Sequence, residues 1–165
     1  MYIAQRNYLF SLSEIEDISK QIYKGLYGWL KEYGEDLKES LNENSCIVGE
    51  WLGMGHIKYV DTFDSRFLMF AKANVNPKQD LFNILYMKEL FIYPFVDGKI
   101  PEYIGFVPVA YRGEPLMLDD LNALYDEYSE KVGRKVEGFI VSDGVSARKY
   151  VRYKDGKLTD HKDKV

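Results

Sequence analysis

Two carboxylates stand where short apolar runs meet a glycine. Glu50 follows "CIVG" in the stretch "CIVGEWLG", and Glu137 precedes "GFIV" in "VEGFIV". Cations occupy comparable positions: Arg6 in "QRNYLF", and Arg148, Lys149 and Arg152 in "ARKYVRY". An isolated charge is costly to bury, so charges on apolar strands face solvent, pair with one another or meet a ligand. Two acids and several cations have the chemistry to frame a nucleotide. The acids would accept hydrogen bonds from ribose hydroxyls and hold a metal, and the cations would meet phosphates. Strand-end charges that are merely solvated or paired are the competing reading of the same residues.

Other chemistries find little footing. His56 and His161 are the two histidines, far apart in sequence, and no His/Cys cluster has zinc spacing. Neither a P-loop nor a dinucleotide fingerprint occurs, and no serine or cysteine triad is indicated. The net charge of −4 gives no global pull toward nucleic acid, so such contact needs a local basic patch. Cys46 is the single cysteine, which reads as a buried structural thiol in a reducing compartment. No apolar run approaches the ~20 residues of a membrane span. The N-terminal "MYIAQRNYLF" lacks the apolar core of a signal peptide. The expectation is a cytoplasmic protein with no membrane contact.

The elements that must position these residues follow from periodicity. The 165 residues, 46% of them hydrophobic, suit one domain, taken as 1–158, followed by a polar tail at 159–165. With 14 Tyr, 9 Phe and 2 Trp, the core should be filled by rings. Apolar residues three to four apart, from Ile15 through Ile18, Ile22, Leu26, Leu30 and Tyr33 to Leu37, predict a helix. Ser13 and Glu16 have capping-box spacing, and Gly34 is a candidate break. Tyr23, Tyr27 and Tyr33 read as helix packing. "CIVGEWL", "HIKYV", "RFLMFAKA" and "EYIGFVPVAYRG" read as strands, with Leu68 and Phe70 on one face by alternation. "PKQDLFNILYMKELF" and "MLDDLNALYDEYSEKVG" read as helices, the second capped by Asp119 or Asp120 and ended by Gly133. "VEGFIVSDG" and "ARKYVRYKDG" read as two strands joined by a turn. The class predicted is α+β, with mainly antiparallel sheets and flanking helices.

The order of the charged and aromatic residues adds to this reading. "QRN", "VGEWLG", "FLMFAKA", "VEGFIV" and "RKYVR", in that sequence, resemble the nucleotidyltransferase domain of ATP-dependent RNA ligases, within the superfamily of DNA ligases and mRNA capping enzymes. The likeness runs from Arg6 to about Arg152. The resemblance implies a pocket for ATP and Mg²⁺ and contact with a nucleotide or RNA end. It implies that Arg6 meets the nucleotide, Glu50 holds the ribose and Phe70 stacks on adenine. It further implies that Glu137 serves the metal and that Lys149 meets the α-phosphate, with Arg148 and Arg152 close to the same position.

One departure bears on activity. The family's nucleophilic lysine, in K-x-D-G or K-x-x-G, is expected upstream of Arg6. "DG" occurs at Asp97, Asp143 and Asp155, but Phe95, Val141 and Tyr153 stand where the lysine is needed. Lys20 and Lys24 are followed three residues later by Tyr23 and Tyr27, not glycine. Covalent nucleotidyl transfer needs that amine, and arginine does not replace it because guanidinium stays protonated. Three expectations follow: a ligase-like enzyme completed by a separately encoded N-terminal segment, a non-catalytic binding module that keeps the groove, or a structural remnant without nucleotide binding.

Overall fold

The computed structural model describes residues 1–5, 8–20, 22–53, 63–76, 81–86, 94–143, 146–154 and 157–158. Arg6, both histidines, the "HIKYV" run and the C-terminal tail lie outside the described residues. The class is α+β, with mainly antiparallel sheets and flanking helices.

β1 (Tyr2–Gln5) and β2 (Tyr8–Ser11) form an antiparallel pair. Ser11 then caps a short 3₁₀ turn over Leu12–Glu14. Its Oγ accepts from the Ser13 N–H at 3.3 Å, and Glu14 Oε2 accepts from the Ser11 N–H at 2.7 Å. The capping box therefore sits two residues before the expected Ser13/Glu16 pair. The helix also starts later than periodicity predicts. α1 spans Leu26–Ser40, and Gly25 before it adopts a left-handed φ of 81°, which halts helix propagation from upstream. Ile15 and Ile22 keep their core contacts from irregular backbone, packing with Phe10, Leu12, Leu26, Leu30 and Trp51. Before Gly25 apolar spacing thus marked burial correctly and conformation wrongly, and from Leu26 to Leu37 it marked both correctly. Gly34 does not break α1. A Cβ there would lie 2.7 Å from Leu12 Cδ1, so the glycine admits the Leu12 side chain against the helix.

The main sheet is built on one long strand, β4 (Phe67–Asn76). β3 (Ser45–Trp51) pairs antiparallel along one edge. The other edge takes β5 (Leu81–Tyr86), antiparallel, and β6 (Ile104–Phe106), parallel at its start. β5 was expected to be helical. Leu81 and Leu85 fit a helical spacing, but Phe82, Ile84 and Tyr86 favour strand, and the open edge of β4 supplies the hydrogen bonds. The face bearing Ile47, Trp51, Phe67 and Met69 packs on α1 through Trp29, Leu30 and Leu37, with Phe95 and Ile104 closing the cluster.

A second core lies further along the chain. α2 (Leu118–Lys131) starts with Asp120 Oδ2 accepting from the Met117 N–H at 3.2 Å. It ends at Gly133, whose φ of 70° suits a helix terminator. The helix covers the hairpin of β7 (Gly138–Ser142) and β8 (Ala147–Val151). Tyr125 is fully buried between them and donates to the Val136 carbonyl at 2.8 Å, while Tyr150 donates to Asn122 Oδ1 at 2.6 Å. Phe139 stacks on Tyr150 with ring centroids 6.0 Å apart. β9 (Tyr153–Lys154) and β10 (Lys157–Leu158) form a final short pair. Among the described residues, no helix is long and apolar enough to cross a membrane.

Candidate functional site

Glu50 comes from the main sheet. It sits in β3 opposite Leu68 of β4, just past an irregularity that shifts the register between Val48 and Gly49. Phe70 is the extra residue of β4, between the pairs Val48–Ala71 and Gly49–Met69. Such a bulge interrupts alternation, so Leu68 shares a face with Ala71 and Ala73 although their numbers differ in parity. Paired residues point the same way, which sets Glu50 with Val48, Ala71 and Leu68, on the face turned away from α1. Gly49 is required where the bulge forms. A Cβ there would stand 2.5 Å from both the Leu68 carbonyl oxygen and the Phe67 ring.

Glu137 and Lys149 come from the second core. Glu137 directly precedes β7, and its carbonyl accepts from the Arg152 N–H at 2.9 Å, which ties it to the end of the hairpin. Gly138 beside it has no room for a side chain: a Cβ would fall 1.8 Å from the Tyr150 carbonyl oxygen. Lys149 lies opposite Ile140 in β8, and its Nζ donates to Glu137 Oε1 at 2.6 Å. Both side chains are about half exposed, at 55% and 44%.

The two cores meet electrostatically at Glu50. Its side chain reaches the surface, yet surrounding protein atoms wall the carboxyl enough for burial to push its pKa above the ordinary 4.5; the Lys149 ammonium pulls it down and the Glu137 carboxylate pushes it up. Residues remote in sequence, on separate hairpins, therefore act on one carboxyl. Lys149 donates to Glu137, and both residues act through space on the Glu50 carboxyl.

The other sequence candidates stand as follows. Phe70 is half-buried in β4. Arg6 lies outside the described residues. Of the three cations in "ARKYVR", Lys149 donates to the Glu137 carboxylate and pulls the Glu50 pKa down. Arg148 is exposed, and Arg152 is half-buried and acts on the Tyr150 hydroxyl. Cys46 is half-buried, with its thiol pKa raised by burial, in keeping with a structural role. Among the described residues, no group of three or more His, Cys, Asp or Glu could hold a metal.

Two surface clefts, of about 450 and 470 Å³, lie elsewhere. The first is walled by Trp29, Tyr33 and Tyr103, with Asp64, Arg66 and Glu32. Sequence reasoning missed it, since Tyr33 read as helix packing and no motif joins α1 to residues 64–66 and 103. No protein-family model, curated protein or solved structure matches the chain.

Proposed function

We propose that Glu50, Glu137 and Lys149 line a non-covalent nucleotide-binding groove of the RNA ligase type, for a free nucleotide or an RNA end. The observation that carries this reading is the Lys149–Glu137 ion pair at 2.6 Å, whose two charges both act on the Glu50 carboxyl. A carboxyl whose ionised form is disfavoured by burial and by a second acid is expected where a ligand compensates it.

In this reading Glu50 accepts from a ribose hydroxyl and Lys149 donates to a phosphate. Phe70 and Arg6, by the same resemblance, meet the base and the nucleotide. Glu137 is a candidate metal carboxylate. Its donor set suits only a metal that brings its own ligands, as Mg²⁺ does when it binds through one or two carboxylates plus phosphate oxygens and water. When bound, Mg²⁺ would neutralise phosphate charge next to Glu137. The Lys149 ammonium, now on Glu137, would be released toward the phosphate at the same moment.

No lysine of this chain completes K-x-D-G; Lys31 in α1 and Lys135 before β7 complete only the looser K-x-x-G, and both follow Arg6 where the family's lysine precedes it, so binding is proposed without a lysyl-adenylate. Three polar or stacking contacts of about 1–3 kcal/mol each, set against the cost of association, give a Kd on the order of 0.1–1 mM. Titration calorimetry with ATP and with inorganic triphosphate tests this. Glu50→Ala should weaken ATP more than triphosphate, because Glu50 is assigned to the ribose. Equal affinities of wild type and Glu50→Ala for ATP would remove Glu50 from the groove. Undetectable ATP binding by the wild type would leave the fold as a structural scaffold.

A further inference from the structure

The cleft beside α1 has its own chemistry. Trp29 and Tyr33 come from successive turns of the helix, with ring centroids 5.7 Å apart. Tyr103 stacks on Tyr33 at 4.4 Å and meets Trp29 edge-on at 5.6 Å. All three rings are half-buried, so they wall the cleft without being closed off by the core. Gly28 keeps the space open, since nothing lies within 4 Å of where its Cβ would be.

Carboxylates surround these rings. Glu32 and Asp64 line the cleft, and Asp36 accepts from the Tyr103 hydroxyl just outside it. Tyr33 donates to Glu32, which raises the phenol pKa, so both tyrosines stay protonated and polarised toward a negative charge. One cation, Arg66, is also present, and its Nη1 lies 3.4 Å from the Cβ position of Gly25, against the start of α1. Two lining carboxylates against one guanidinium, with Asp36 at the edge, leave the cleft negative. Phosphate is repelled there, and an apolar ligand would leave the carboxylates unsolvated. The electron-rich faces of Trp and Tyr attract cations.

We propose that this cleft binds an arginine side chain presented by a partner peptide, with the guanidinium against the Trp29–Tyr33–Tyr103 wall and its N–H groups on Glu32 and Asp64. Arginine fits better than lysine because its planar fork stacks on rings while donating to carboxylates. The site is independent of the nucleotide groove, which takes an anion and lies on the other face of the sheet.

The probe is acetyl-Gly-Arg-Gly-amide, with the citrulline peptide as its uncharged isostere. The readout is the indole N–H resonances in a ¹⁵N–¹H spectrum. The chain has two tryptophans, and Trp51 has its indole N–H held by the Lys24 carbonyl at 3.1 Å, so it serves as the internal reference. Arginine peptide should shift Trp29 more than Trp51, and citrulline peptide should shift neither. The double variant Glu32→Gln/Asp64→Asn should weaken binding about tenfold, both side chains being exposed and dispensable for folding. Arg66→Gln should strengthen it by removing the competing cation, and Glu50→Gln should leave it unchanged. Equal binding of the citrulline peptide, no binding of the arginine peptide, or weaker binding in Arg66→Gln would each overturn the proposal. A Trp29 shift produced by a nucleotide instead would do the same.

Discussion

Replacing Glu137 by Gln should make the protein bind triphosphate more tightly when Mg²⁺ is absent. In the free protein Lys149 is spent on Glu137, at 2.6 Å. The substitution removes that ion pair and one carboxylate of the proposed phosphate site. The pair is about half exposed, so its own contribution to stability is about 0.2–1 kcal/mol. Near the surface, relief of one charge repulsion together with release of Lys149 amounts to about 1 kcal/mol, or about fivefold in Kd. The fold should lose no more than about 1 kcal/mol, a shift of about 2–4 °C in Tm for a chain of this size. With Mg²⁺ the sign should reverse, because the metal loses its carboxylate. Calorimetry with triphosphate in EDTA and in Mg²⁺, for wild type and variant, reads both effects. An affinity in EDTA that is unchanged or weaker, in a variant that melts within a few degrees of wild type, would refute the shared role assigned to Lys149.

Further outcomes follow from the same geometry. Because the folded Glu50 pKa is raised, the folded state holds this proton more tightly than the unfolded state; the contribution is present below pH 4.5 and is lost as pH rises through the folded pKa. Glu50→Gln should therefore raise Tm at pH 7 and change it little at pH 4, as calorimetric melts would check. Gly138→Ala should cost about 3 kcal/mol or more, since the Tyr150 carbonyl that blocks the new Cβ is backbone and yields only by opening the hairpin; urea denaturation measures the loss. Tyr125→Phe should cost about 1–2 kcal/mol by leaving the Val136 carbonyl without its buried donor. Incubation with labelled ATP and Mg²⁺ should leave no acid-labile adduct on the chain after denaturing electrophoresis.

Class and much of the local structure could be read from the residues. β3, β7, β8 and α2 fall where alternation, helical periodicity and the Gly133 terminator put them. The misses have definite causes. Apolar residues three to four apart continue from Ile15 to Leu37, but a glycine that requires positive φ at position 25 confines the helix to Leu26 onward. In β5, four-residue spacing of leucines mimicked a helix, and the open edge of β4 decided otherwise. The bulge at Val48/Gly49 was not legible because its cause is three-dimensional: Phe67 and the Leu68 carbonyl crowd Gly49 across the ladder. For the candidate site, residue types and order flagged Glu50, Glu137 and Lys149, whereas the Lys149–Glu137 ion pair needed the strand register that brings the two together. The cleft of Trp29, Tyr33 and Tyr103 draws on segments with no shared sequence signal, so only the folded chain brings it together.

The central claim is that Glu50 shares one electrostatic site with Glu137 and Lys149. Carbon-13 side-chain NMR titration of the Glu50 carboxyl tests it most directly, in wild type, Glu137→Gln and Lys149→Met. The wild-type carboxyl should titrate above 4.5, Glu137→Gln should lower that value, and Lys149→Met should raise it further. A Glu50 pKa that stays the same in both variants would show that the three residues do not share a site, and the proposed groove would fall with it.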